Sequence, residues 1–241
     1  MISLWTKQTY DNIVDFLFPK ISLWDHTEGA YLSKNDKKNL KSHPEMCPAS
    51  HFRSTDFKTL PPYRKDFVCE GVHIGFIYTE HLKKLIIKLK YDHRYDIATF
   101  LAQRLALSLQ SNQTLMKHIK KYPTYITHVP SHRRRKRFFR GYNQSEILAK
   151  ALAKELNLSH KDLYSKIRHT PSQTKLKRAQ RLKNLQWAFI AQDAQIPNNA
   201  CIIIVDDIIT TGSTLNQLAK ITKKQLPKSH IWWAVLGRHY W

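Results

Sequence analysis

Asp206 and Asp207 stand side by side. After Ile208 and Ile209 come Thr210, Thr211, Gly212, Ser213 and Thr214. Two adjacent carboxylates followed at once by hydroxyls and one glycine suit a ligand that carries vicinal hydroxyls close to a phosphate, such as a ribose 5-phosphate. The acids would take the hydroxyls. Hydroxyl side chains and free backbone N–H groups would take the phosphate, which favours a helix N-terminus. Gly212 lets the backbone close on the anion. Two acids ending a strand could instead be the Mg²⁺-binding strand of a P-loop ATPase. That reading needs a G-x-x-x-x-G-K-[ST] run, which the sequence lacks.

A second stretch, Val129 to Gln144, reads VPSHRRRKRFFRGYNQ. His132, Arg133, Arg134, Arg135, Lys136, Arg137 and Arg140 all present side chains suited to anions. Arginine forks match phosphate oxygens two at a time, so the stretch can grip a pyrophosphate, a nucleic-acid backbone, or both. Phe138, Phe139 and Tyr142 lie among the charges and could stack the bases of a single strand. A third basic stretch covers 168–189, with Arg168, Lys175, Lys177, Arg178, Arg181, Lys183 and Trp187. It suits a lid over a phosphorylated ligand or a track for nucleic acid. A solvated basic loop is the plain alternative for the Val129 to Gln144 stretch.

These residues need elements to position them. Cys201 to Val205 is short and rich in β-branched residues, as expected of a strand buried on both faces of a parallel sheet. The change to acid predicts a loop at its C-terminal end, where ligands bind in open α/β sheets. Thr214 then opens a helical pattern through Leu215, Leu218, Ala219 and Ile221. Tyr125 to Val129 predicts a strand leading into the arginine-rich stretch. Asn143 and Glu146 form an N-cap pair for a helix from Gln144 to Leu156. Further expected elements are a strand over Val72 to Tyr78, helices over Glu80 to Lys90 and Asp96 to Leu109, a polar helix reaching Lys121, and a last strand over Ile231 to Leu236. Asp11 to Phe18 fits a helix ending at Pro19. Residues 25–66 are polar and broken by prolines, which predicts a loosely structured module or linker.

The chain has 241 residues and a formal net charge of +22, which calls for a polyanionic partner. No apolar run approaches a membrane span, no signal peptide is visible, and three scattered cysteines make no disulfide framework, so a reducing cytoplasm is expected. His43, Cys47, His51 and Cys69 are ligand types for zinc, but without the usual Cys-x₂₋₄-Cys pairing, and zinc is not expected there.

The segments IVDFLFPKIS, LIIKLKYDHRYDIATFLAQRLA, THVPSHRRRKRFFRGYNQSEILAKALAKEL, RHTPSQTKLKRAQRLKNLQWAF and IIIVDDIITTGSTL, in this order, resemble the ComF family of competence-linked phosphoribosyltransferase-like proteins. The resemblance implies an α/β type I phosphoribosyltransferase fold, a parallel sheet flanked by helices. It implies a domain over 71–241, preceded over 1–70 by a helix and a small module. In that module the family's Cys-x₂-Cys pair is replaced by Lys20 to Asp25, so the zinc-ligand set is not intact. Asp206 and Asp207 would hold the ribose hydroxyls of phosphoribosyl pyrophosphate (PRPP). Ile209 to Thr214 would wrap its 5-phosphate. Ser131, His132, Arg133 and Arg134 would take its pyrophosphate, with Mg²⁺ travelling with PRPP. Arg133 to Phe138, Arg140, Lys177, Arg178 and Arg181 would contact single-stranded DNA. The resemblance also implies a cytoplasmic role in natural transformation, possible contacts with other competence proteins among them. Two functions stay open: a protein that binds PRPP and DNA, or an enzyme that transfers ribose 5-phosphate to a nucleophile and releases pyrophosphate. The sequence offers no clear acid or base for that nucleophile.

Overall fold

The structure is a computed structural model that describes residues 40–50, 52–91, 95–131, 142–167 and 188–239. Its centre is a five-stranded sheet. The strands are β1 (Gly71–Ile77), β2 (Thr124–His128), β3 (Ser159–His160), β6 (Cys201–Ile209) and β7 (His230–Arg238), in the order β1-β7-β6-β2-β3. Every pairing in it is parallel. Between β1 and β2 lie three helices, α1 (Glu80–Tyr91), α2 (Tyr95–Leu109) and α3 (Gln113–Lys121). Helix α4 (Gln144–Glu155) links β2 to β3, and α5 (Ser213–Gln225) links β6 to β7. A separate antiparallel pair, β4 (Tyr164–Lys166) and β5 (Phe189–Ala191), packs beside α5.

The central strands are apolar from Cys201 to Val205 and from Ile231 to Leu236 because both faces are covered there. Cys201, Ile203 and Val205 join Trp232, Ala234 and Leu236 in a core with α1, α2 and α4. Ile202 and Ile204 join Ile231, Trp233 and Val235 in a second core, with Leu215, Leu218 and Ala219 of α5. The two strands therefore alternate between two helical layers, residue by residue.

This topology fixes where a ligand can sit. The chain leaves β2 toward the layer of α4 and leaves β6 toward the layer of α5. Those neighbouring strands send their helices to opposite faces, so a crevice opens between their C-terminal ends, the switch point of an open α/β sheet.

Two expectations need adjusting. The strand predicted to stop at Val205 runs on through both aspartates to Ile209. Strand β7 is long enough to keep pairing with it, matching Asp206 to Val235 and Ile209 to Arg238, whereas β2 stops pairing at Val205. The acids thus sit on strand, not loop. The predicted linker is also packed from residue 40 onward. Phe57 and Cys69 are buried, His43 N donates to Gly75 O at 3.2 Å, Ile77 N donates to Lys41 O at 3.0 Å, and Arg238 Nη1 donates to Cys47 O at 2.9 Å. Buried apolar residues spaced among the prolines supply the adhesion that the polar composition concealed. The expected helix over Asp11 to Phe18 lies outside the described residues.

Candidate functional site

Strand β6 carries the acid pair into the crevice, and neighbouring elements hold each carboxylate. Asp206 Oδ1 accepts from Ser145 Oγ of α4 at 2.7 Å and from the backbone N–H of Asp207 at 2.9 Å. Asp207 Oδ1 accepts from Ile208 N at 2.7 Å, and its Oδ2 lies 2.5 Å from Lys90 Nζ near the end of α1. The acids therefore have unlike surroundings. Burial, and then the charge of Asp207, push the Asp206 carboxyl up to about 7, against the opposing pull of its two hydrogen bonds and Lys90.

Past Ile209 the chain turns through Thr210 and Thr211 to Gly212, which caps α5 with φ +72°. A Cβ there would stand 3.1 Å from the Trp233 ring and 3.2 Å from the Phe67 ring, in a backbone region that side chains disfavour. With glycine at the N-cap, no side chain at that position covers the first-turn N–H groups of α5. Thr211 Oγ1 and Ser213 Oγ lie 2.7 Å apart across the turn. Amides, hydroxyls and the helix dipole thus converge on one point, the arrangement that holds a phosphate. A cleft of about 660 Å³ opens beside it, lined by Thr211, Ser213, Asn216 and Lys220 on one side and by Phe52, Tyr63 and Phe67 on the other.

The arginine-rich stretch begins and ends at the same edge. Val129 N donates to Val205 O at 3.1 Å, which keeps the exit of β2 against β6. Asn143 caps α4 by accepting from Ser145 N, and its Nδ2 donates to Val129 O at 3.0 Å. That one side chain ties the two ends of the stretch together. Tyr142, next to it, is buried and its hydroxyl donates to Leu89 O. Glu146, the other half of the expected cap pair, forms an ion pair with Lys150 at 2.8 Å.

Of the residues expected to bind, the structure brings together Asp206, Asp207, Ile209, Thr210, Thr211, Gly212, Ser213 and Thr214, with Ser131 at the end of the neighbouring strand's exit. His132, Arg133, Arg134, Arg135, Lys136, Arg137, Phe138 and Arg140 lie outside the described residues, as do Lys177, Arg178 and Arg181. Strands β4 and β5 hold the two ends of the basic stretch 168–189 against α5, where the Tyr164 hydroxyl meets Thr222 Oγ1.

Sequence reasoning missed Ser145 and Lys90. Ser145 looked like one more residue of a helix start, and Lys90 like one of several surface lysines on α1. Their roles come from helices α1 and α4 meeting at the end of β6, which no local spacing records. In the small N-terminal module, His43 Nδ1 donates to Pro44 O at 2.7 Å, Cys47 Sγ accepts from Leu60 N at 3.4 Å, and Thr59 Oγ1 lies 3.5 Å from Cys69 Sγ. Burial pushes the Cys69 thiol up to about 12. His51 lies outside the described residues.

Residues 143–239 match the model of the phosphoribosyl transferase domain family. That span runs from the N-cap of α4 through β6, the turn and α5 to the end of β7, so it contains the acid pair and the Gly212 turn. Among curated proteins, Competence protein F of Haemophilus influenzae is 33% identical over 150 residues, covering 61% of this chain and 64% of that protein. DNA utilization protein YhgH of Escherichia coli is 33% identical over 147 residues, covering 60% of this chain and 62% of that protein. In both cases the matched stretch spans less than two thirds of the relative. Competence protein ComFC of Streptococcus pneumoniae is 29% identical over 211 residues, covering 86% of this chain and 87% of that protein. The parallel sheet with helices on both faces and the domain match make this a type I phosphoribosyltransferase fold, and the competence and DNA utilization relatives support its likeness to the ComF family.

Proposed function

We propose that this chain binds PRPP at the end of β6 and single-stranded DNA along its basic stretches, and that it serves DNA uptake during natural transformation from the cytoplasmic side. The observation that carries the PRPP reading is the run from two held carboxylates to a glycine-capped helix start within one turn of chain. The acids suit the 2′- and 3′-hydroxyls, and the start of α5 suits the 5-phosphate. Ser131, His132, Arg133 and Arg134 would receive the pyrophosphate. Mg²⁺ would enter with PRPP, held by its phosphate and hydroxyl oxygens, and the carboxylates are the oxygen donors that suit such an ion. The DNA reading rests on the net charge of +22, on arginines interleaved with Phe138 and Phe139, and on relatives named for competence and DNA utilization. The absence of any helix long and apolar enough to cross a membrane among the described residues is compatible with it.

Two measurements test the reading. Calorimetry with PRPP and Mg²⁺ should give saturable binding in the native chain and none in the Asp206→Ala, Asp207→Ala double variant. Undiminished heats in that variant would remove the site from the acid pair. Affinity for a labelled single strand should fall steeply with salt, with a logarithmic slope of about −0.7 per phosphate engaged. Replacing Arg133 to Arg137 by Ala should flatten that slope. A salt-insensitive affinity would rule out a phosphate track.

A second reading, transfer of the ribose phosphate with release of pyrophosphate, is favoured by one observation: Asp206 holds a carboxyl poised near neutral pH. Incubation with PRPP and a panel of bases and amines decides it. Steady pyrophosphate release supports turnover, and none across the panel leaves the protein a binder.

A further inference from the structure

A cluster that the ribose-phosphate site does not use lies at the root of the arginine-rich stretch. His128 ends β2, one residue before Val129, and His160 ends the short edge strand β3. Nδ1 of His128 and Nε2 of His160 lie 3.1 Å apart. Asp162 Oδ1 stands 3.6 Å from the first and 3.7 Å from the second. Among the described residues, this is where three donors of metal-binding type gather, all within 4.8 Å of one another.

The spacing has a chemical meaning. Imidazole nitrogens and a carboxylate oxygen bound about 2.0–2.2 Å from one ion stand about 3.0–3.6 Å from each other in tetrahedral or octahedral geometry. The observed edges match that triangle within a few tenths of an ångström; without an ion the two ring nitrogens share a hydrogen bond, which metal binding would replace as the rings turn. Both rings are largely buried, while Asp162 is 58% exposed, so the open side faces water. Two imidazoles and a carboxylate suit zinc and its neighbours, not Mg²⁺ or Ca²⁺, which prefer oxygen throughout. The local charge agrees. In a chain this basic, Asp162 and Glu146 both bear on His128, and the nearby cation Lys150 is already paired with Glu146.

We propose that His128, His160 and Asp162 bind a divalent transition-metal ion of the zinc type, with water completing its shell. The ion clasps β3 to the end of β2. Only two residue pairs join these strands, Tyr125 with Ser159 and Ile126 with His160, so this edge has the least to hold it. A metal there also fixes the residue from which the Val129 to Ser131 exit departs.

The test uses the full chain, stripped with a chelator and titrated with Co²⁺ and then Zn²⁺. The native chain should take up one equivalent of cobalt with a nitrogen- and oxygen-type absorption spectrum, free of thiolate charge transfer, and Zn²⁺ should displace it. Asp162→Ala, a change at an exposed side chain with the fold checked by circular dichroism, should weaken binding at least about tenfold. Zinc should raise Tm in the native chain and not in this variant. Absence of saturable uptake by the native chain overturns the site. So does equal affinity in Asp162→Ala, or a thiolate band, which would place the ion on Cys47 or Cys69 instead.

Discussion

Replacing Asp206 by Asn should make the protein more stable at pH 8 and bring little gain in acid. The side chain keeps its shape, and Asn Oδ1 can still accept from Ser145 Oγ and from the N–H of residue 207. Only the charge goes. In the folded chain the Asp206 carboxyl is raised from 3.8 to about 7, first by burial and then by Asp207. A carboxyl raised in this direction favours the folded state most below pH 3.8, and that contribution is lost as pH climbs through about 7. Above pH 7 the folded chain must carry a partly buried charge beside another. A rise of this size corresponds to about 4 kcal/mol, and the partial exposure of the Asp206 carboxyl brings the expected gain from Asn nearer 2–4 kcal/mol. In a chain of this size that raises Tm by several degrees. At pH 5 the native carboxyl already holds its proton when folded, so the gain should fall below half. Thermal unfolding of both proteins at pH 8 and pH 5 measures this directly. Equal gains at the two pH values, or a loss at pH 8, would refute the idea that this acid is held against its own ionisation.

Gly212→Ala should cost about 1–2 kcal/mol in chemical denaturation, because the residue keeps a left-handed backbone and its methyl meets Trp233 and Phe67. The same variant should bind PRPP more weakly, since the start of α5 shifts, and calorimetry reads that loss. Asn143→Ala removes both the cap of α4 and the bond to Val129 O. It should lower stability by about 0.5–2 kcal/mol and slacken the arginine-rich stretch, which faster proteolysis there would report.

The architecture was legible because periodicity and composition are local. The run CIIIV could only be a strand covered on both faces, and the amphipathic runs before and after it could only be helices. The elements expected among the described residues fell within a residue or two of their expected ends, apart from β6. Its extension through Asp206 and Asp207 depended on the length of β7, a neighbour that the local pattern does not contain. Residues 40–70 misled for a related reason: their few buried apolar side chains find partners on β1, β7 and the start of α5.

The sequence by itself determined the chemistry on offer: an acid pair, a glycine-centred hydroxyl turn, and arginine-rich stretches in a chain of charge +22. Residue type fixes what a side chain can bind, and close spacing along one turn guarantees that its parts arrive together. The tertiary structure decided which acid is strained and which is paired, because Ser145 and Lys90 come from distant helices. It also brought His128 to His160 and Asp162 across two strands. Burial and charge proximity are properties of three-dimensional neighbours, and they decide pKa values and metal geometry where sequence order cannot.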